Sequence, residues 1–237
     1  MTAKYWAVVP AAGKGTRLGA ALPKQYLTLA GAPIIVHTLN RLLAHPQIVG
    51  AVVALSPDDH YWQSLDYMHT KPVLCAQGGE ERFVSVLNAL LRLASHGAHA
   101  DDWVLVHDAA RPCVRLSDIS KLIESVGDNV HGGLLGVPVA DTLKRCDMTG
   151  IVTATVDRSA LWRALTPQMF KLELLAHALQ NLMRRGAAVT DDAAAMEREG
   201  YRPRMVEGHA DNIKITRKED LQLASLYLDM QGGNTCE

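Results

Sequence analysis

The chain has 237 residues, 48% of them apolar and 21% charged, with 18 glycines and 10 prolines; this is ordinary globular usage and excludes a disordered or collagen-like polymer. Its 24 Lys and Arg against 25 Asp and Glu leave a formal charge of -1, which argues against a broad nucleic-acid footprint but leaves room for a local basic pocket. No apolar run reaches the about 18 residues of a membrane span, and Met1 to Lys4 leads into a strand-like run without the apolar segment of a signal peptide, so a cytoplasmic protein is expected. Cys75, Cys113, Cys146 and Cys236 lack CxxC spacing and are expected as buried free thiols, not zinc ligands or disulfides.

In chain order, the run from Tyr5 to Pro10 is apolar without alternation, as a strand covered on both faces should be. Runs of the same kind are Ile48 to Leu55, Pro72 to Ala76, Asp102 to His107 and Gly133 to Val139. Helix-period segments lie between them: Ile34 to Leu43, Phe83 to Leu93 and Leu116 to Val126. This alternation predicts an α/β fold whose mainly parallel sheet carries helices on both faces. Its ligand crevice should open beyond the carboxyl ends of the strands. The loop after Val9, the Gly78-Gly79 turn and His107-Asp108 all fall there.

From Asp141 to Leu165 the rhythm breaks into two short antiparallel strands around a turn containing Asp147 and Gly150, an arm that the parent domain or a second subunit should cover. Beyond it, a long amphipathic helix is expected from Phe170 to Arg185, with Leu172, Leu175 and Leu179 facing the core. A second helix should run from Asp191 to Arg198, followed by a short strand over Asn212 to Thr216. A last helix is expected from about Lys218 to Met230, capped by Thr216 or a neighbour and fraying from Gln231. Trp6, Trp103 and Trp162 are expected to pack against the sheet or arm.

The sharpest feature is the loop from Pro10 to Lys24. Its small residues let backbone N-H groups approach an anion. Gly13, Gly15 and Gly19 miss the dinucleotide spacing G-x-G-x-x-G, no acidic residue follows at the ribose position, and no Walker A loop is present. Instead Lys14, Arg17 and Lys24 crowd one loop, which suits a triphosphate whose bridging and leaving oxygens gain charge during attack at phosphorus. Lys214, between Ile213 and Ile215, faces away from both by the period of two and can approach from a late segment. Asp108 at a strand end can help to hold Mg²⁺ beside phosphates. A phosphate-activating nucleotidyltransferase, a dinucleotide-dependent oxidoreductase and a non-catalytic sugar-phosphate binder all remain open, the last two disfavoured by glycine spacing and by the number of phosphate-facing groups.

The loop from Ala11 to Gly19 followed by Pro23 to Tyr26 resembles the nucleotidyltransferases that activate sugar and polyol phosphates. Further stretches extend the likeness nearly end to end: Gly78 to Arg82 with Ser85, Val106 to Pro112, Pro138 to Lys144, Thr155 to Arg158, Leu165 to Gln168, Val189 to Asp192 and Asp211 to Thr216. In order and spacing the chain resembles the bacterial 2-C-methyl-D-erythritol 4-phosphate cytidylyltransferases of the non-mevalonate isoprenoid pathway.

The resemblance implies a Rossmann-like fold, one nucleotidyltransferase domain over 1–237 with a β-arm excursion at 139–166, and a homodimer that exchanges arms. It implies CTP and an alditol phosphate as reactants, Mg²⁺ as cofactor, and neither nucleic-acid nor membrane partners. By it, Arg17, Lys24 and Lys214 serve the triphosphate and transition state. Ala11, Ala12, Gly13, Lys14, Gly15, Gly79, Glu80, Ser85 and Asp108 bind the nucleotide, Asp108 also as metal ligand. Many relatives carry aspartate where this chain has Glu80. Arg111, Thr142, Arg158, Thr166 and Thr190 meet the acceptor, with Arg158 and Thr166 supplied by the partner subunit. Ribitol 5-phosphate is the nearest alternative acceptor, since a branched methyl alters apolar fit by only about 1 to 3 kcal/mol. His107 is given no catalytic part.

Overall fold

Faces alternate along the first strand: Trp6 and Val8 pack into one apolar layer, Ala7 and Val9 into the other. The computed structural model describes residues 3–13 and 22–233. Lys14, Gly15, Arg17 and Cys236 lie outside the described residues.

In chain order the elements are β1 (Tyr5–Pro10), a 3-10 turn over Lys24–Tyr26, the hairpin β2 (Thr28–Leu29) and β3 (Ala32–Pro33), α1 (Ile34–Ala44), β4 (Ile48–Leu55), α2 (Tyr61–Ser64), β5 (Val73–Gln77) and α3 (Arg82–Ser95). There follow β6 (Trp103–Val106), α4 (Leu116–Val126), β7 (Gly133–Pro138), the pair β8 (Leu143–Cys146) and β9 (Val152–Val156), β10 (Trp162–Lys171), α5 (Leu172–Arg184), α6 (Asp192–Arg198), β11 (Arg204–Glu207) and α7 (Lys218–Gly233).

The main sheet has seven strands in the order β11-β7-β10-β6-β1-β4-β5. Only β10 runs against its neighbours, pairing antiparallel with both β6 and β7. The mainly parallel sheet expected from the sequence is therefore present. Helices α1 and α4 cover the face that carries Ala7 and Val9, and α3, α5 and α6 cover the other. These layers, more than local caps, hold the helices: α1, α3, α4 and α5 have no side-chain N-cap bond. A cap is worth about 1 kcal/mol, whereas each fully buried Leu or Ile contributes about 1.5 to 3 kcal/mol. A third cluster, with Ile34, Cys113 and Ile215, seats α7 through Ala224.

The arm leaves the sheet after Pro138 and returns at Trp162, with β8 and β9 antiparallel as expected. Its turn is built on Asp147, whose Oδ1 accepts from the amides of Thr149 and Ile151 at 2.9 and 3.0 Å. Ile151, Val152 and Met148 stand exposed at its tip. Trp6 and Trp103 are buried in the layers, and Trp162 is partly exposed at the arm's base. No helix among the described residues is long and apolar enough to cross a membrane.

Five expectations need correction. The helix expected from Phe170 begins at Leu172, because Phe170 and Lys171 close β10 opposite Val104 and Trp103. Asn212 to Thr216 forms no strand with the described residues; Ile215 N donates to Ala110 O at 2.8 Å, and the paired strand after α6 is instead β11. The Thr216 hydroxyl does not accept a cap bond; it donates to Asp220, which also takes the Thr216 and Arg217 amides at 2.7 and 2.8 Å. Gln231 is anchored, not frayed, with Nε2 donating to Cys113 O at 3.0 Å. Cys75 and Cys146 are exposed, so of the three described cysteines only Cys113 is a buried thiol.

Candidate functional site

Four segments meet at the carboxyl ends of β1, β5 and β6. The first is the start of the glycine-rich loop. Ala11 N donates to Ala54 O at 2.8 Å and Ala11 O accepts from Gln25 Nε2 at 2.6 Å. The Ala11 amide proton is thus spent on holding the loop, which leaves Ala12 and Gly13 at the cleft.

The second segment is the turn after β5. A Cβ on Gly78 would lie 2.3 Å from the Ala12 Cβ, so only glycine lets this turn close against the loop. The Ser85 hydroxyl accepts from Gly79 N at 3.0 Å and lies 3.4 Å from the carbonyls of Gly79 and Glu81. Gly79, Glu80 and Ser85 all line the cleft. Ser85, 2% exposed, braces the turn that carries Gly79.

The third segment follows β6. Asp108 Oδ1 accepts from Arg82 Nε at 3.2 Å, and Oδ2 meets Arg111 Nε at 3.2 Å and Lys214 Nζ at 3.0 Å. Burial alone would raise its pKa, but Arg82, Lys214 and Arg111 hold it well below the usual carboxylate range. Burial lowers the Arg111 pKa despite Asp108. Beside them His107, fully buried, is driven down to about 4 by burial. Its Nε2 contacts the Arg111 carbonyl at 2.9 Å and its Nδ1 the Thr166 hydroxyl at 3.0 Å. A carbonyl only accepts, so a neutral His107 carries its proton on Nε2 and takes the Thr166 hydrogen at Nδ1.

The fourth segment is Asn212 to Ile215. Arg111 Nη1 donates to Asn212 O at 2.8 Å and Asn212 Nδ2 donates to Thr166 O at 2.7 Å. Lys24 Nζ reaches Ile215 O at 3.4 Å. The alternation expected around Lys214 holds without a strand: Ile215 is buried, Ile213 packs on the same cluster, and Lys214 turns to Asp108. Lys24, Lys214 and Asp108 therefore share one cleft with the Gly79 turn.

Of the acceptor residues expected from the sequence, Arg111 and Thr166 lie at this centre, while Thr142, Arg158 and Thr190 are exposed outside it. Thr166 corrects the expectation that the arm carries it to a partner. It lies on β10, which returns into the sheet, is 4% exposed, and its hydroxyl accepts from the Asp108 amide at 3.2 Å. Arg158 donates to the Ala140 carbonyl within the arm.

Sequence reasoning gave no role to Arg82, Asp192 or Gln168. Arg82 Nη1 is 2.7 Å from Asp192 Oδ2; burial opposes its charge, yet Asp192 and Asp108 raise its pKa overall. Gln168 joins β10 to the start of α6, donating to Asp191 Oδ2 at 2.9 Å and accepting from Ala193 N at 2.8 Å. Arg82 did carry a signal. A cation opening a helix opposes the dipole there, which implies acidic partners from elsewhere.

Comparison with known proteins adds to this geometry. Residues 5–230 match the family profile described as 2-C-methyl-D-erythritol 4-phosphate cytidylyltransferase. Proteins of that name from Pseudomonas aeruginosa and Hahella chejuensis are 54% identical over 217 residues and 52% over 225, covering 92% and 95% of this chain and 93% of each relative. A solved 4-diphosphocytidyl-2C-methyl-D-erythritol synthase superposes with TM-score 0.84 at 38% identity, covering 97% of this chain and 100% of that one. The Francisella tularensis 2-C-methyl-D-erythritol 4-phosphate cytidylyltransferase gives 0.82 at 37%, covering 95% and 100%.

Proposed function

Because the chain belongs to the 2-C-methyl-D-erythritol 4-phosphate cytidylyltransferase family, we propose that it couples CTP to 2-C-methyl-D-erythritol 4-phosphate, releasing pyrophosphate and forming the diphosphocytidyl alditol. The observation that carries this reading is the convergence of Lys24, Lys214 and the ionised Asp108 on one cleft closed by the Gly78-Gly79 turn. The relatives' names favour the methylerythritol acceptor over ribitol 5-phosphate.

An oxygen of the acceptor phosphate attacks the α-phosphorus of CTP. A P-O bond forms there as the bond to the bridging α-β oxygen breaks, and pyrophosphate leaves with that electron pair. With a second pKa of about 6 the acceptor monoester is already largely ionised at neutral pH, so no general base is required. His107, buried and neutral, is not called on. What the chain must supply is alignment and neutralisation of two polyanions. Lys24 and Lys214 supply positive charge at the cleft, together with Lys14 and Arg17 of the loop. Ala12, Gly13, Gly15 and Gly79 offer backbone groups to the nucleotide, and Glu80 and Ser85 complete that wall.

An ionised carboxylate accepts in about four directions. Arg82, Arg111 and Lys214 occupy three around Asp108, so Asp108 would be the residue to hold a Mg²⁺ through its remaining capacity. Such an ion supplies further neutralisation of the phosphate oxygens when bound.

Arg111, Thr142 and Thr190 receive the acceptor, and Arg158 reaches it from the arm of a second subunit. The exposed apolar tip of the arm, Ile151 and Val152, supports that exchange, since a two-stranded ribbon is marginal alone. Residues 1–237 act as one nucleotidyltransferase domain with 139–166 as its excursion, and the CTP pool places the reaction in the cytoplasm. Pyrophosphate release tests the assignment. It should require CTP and methylerythritol phosphate together, with UTP and ribitol phosphate poor; comparable rates with ribitol phosphate would reject the acceptor.

A further inference from the structure

Arg82 occupies a position that stability does not explain. It opens α3, where its charge opposes the helix dipole. Its partner Asp192 is fully buried, and the other oxygen of that carboxylate, Oδ1, has no hydrogen-bond partner among the described residues. With Arg82 only partly exposed and Asp192 fully buried, the pair carries a desolvation cost that apolar residues of similar volume avoid.

The geometry shows what the pair joins. Arg82 Nε lies 3.2 Å from Asp108 Oδ1 and Nη1 lies 2.7 Å from Asp192 Oδ2. Asp192 is the first residue of α6; its neighbour Asp191 caps the helix by accepting from Ala194 N at 2.9 Å, and Thr190 immediately precedes them. The nucleotide turn is braced separately by Ser85 on Gly79. A planar guanidinium can span two carboxylates at fixed angles, whereas a lysine presents a single charge.

We propose that Arg82 is a positioning residue that ties the Thr190–Asp192 segment to Asp108, keeping the acceptor side of the cleft in register with the reacting phosphates. This rests on the acceptor-side reading of Thr190 given above. Loss of the tie leaves the nucleotide wall in place but lets the acceptor wall drift.

Arg82→Lys tests it through three readouts. Amide deuterium exchange of residues 189–198 should quicken at least tenfold. The KM for the alditol phosphate should rise, and kcat fall, at least tenfold each. The Kd for CTP, measured without acceptor, should stay within threefold. Unchanged exchange and acceptor KM, or CTP binding weakened as much as acceptor binding, would overturn the proposal. Should Arg82→Lys not fold, Arg82→Met/Asp192→Leu removes both charges together. That variant should melt like the parent and show the same acceptor-side loss; parental kinetics from it would reject the tie. If the parent enzyme releases no pyrophosphate with the alditol phosphate, the functional reading fails, while the exchange measurement still decides whether Arg82 holds α6.

Discussion

Lys214 Nζ lies 3.0 Å from Asp108 Oδ2, and the carbonyl of the next residue, Ile215, receives Lys24 Nζ at 3.4 Å. A single short segment thus gathers a lysine from near the first strand and the carboxylate after β6. Asp108 faces three cations, Arg82, Arg111 and Lys214, of which Arg82 is shared with Asp192, so among the described residues Lys24 and Lys214 are the lysines that this cleft offers to a polyanionic ligand.

Asp108→Asn should show how much the cluster needs its anion. Removing one member of a buried ion pair costs about 3 to 5 kcal/mol because the other charge is left uncompensated. Urea unfolding at pH 7 should record a loss near the lower end, since Lys214 is partly exposed, and pyrophosphate release should disappear.

His107 makes stability depend on pH. Its folded pKa, about 4, lies below the about 6.5 of an unfolded histidine, so the unfolded chain binds more protons between these values. The contribution is complete above about pH 6.5 and is lost as pH falls toward 4, amounting to about 2 kcal/mol between pH 7 and 5. His107→Gln, whose amide both donates and accepts, should flatten that slope in denaturant titrations; an unaltered slope would exclude His107 as its source.

Ser85→Ala removes the acceptor of the Gly79 amide, and Gly78→Ala sets a methyl against Ala12. Leaving the part-buried Gly79 amide without that acceptor costs at most about 1 to 3 kcal/mol. Both changes should raise the KM for CTP about tenfold or more while the acceptor KM stays within twofold, as steady-state kinetics with each substrate varied in turn will read.

Arm exchange predicts complementation. Lys214→Met and Arg158→Ala should each be nearly inactive, but random reassociation of equal amounts should restore about a quarter of the sites, since one site of each mixed dimer then combines an intact Lys214 with the partner subunit's Arg158. No recovery would place Arg158 in its own subunit's cleft.

How far the sequence carried the fold follows from local chemistry. The strands β1, β4, β6 and β7 are apolar runs covered on both faces, and their pattern sufficed. By contrast β10 carries Thr166, Pro167 and Gln168 through its middle, and its pairing with β7 breaks between Ala164 and Gln168. Polar residues bonded to His107 and Asp191 are buried there, which defeats a hydrophobic pattern. Strand β11, Arg-Met-Val-Glu from Arg204 to Glu207, is a short charged edge.

The site divides in the same way. Asp108 and the Gly78-Gly79 turn were legible because they sit at recognisable strand ends, Lys24 because it closes a glycine-rich loop, and Lys214 because it alternates with Ile213 and Ile215. The bridge from Arg82 to Asp192 depends on the docking of α3 against α6, which no local spacing reports. Thr166 was named but assigned to the wrong subunit, because the return of β10 into the sheet was not foreseen.

The most direct measurement is the single-turnover rate of Lys214→Met with both substrates saturating, followed by rapid quench. If positive charge at the cleft stabilises the departing pyrophosphate, the rate should fall about a hundredfold or more while the Kd for CTP changes less than threefold and the fold is kept. A parental rate, or a loss wholly recovered by more CTP, would contradict the account.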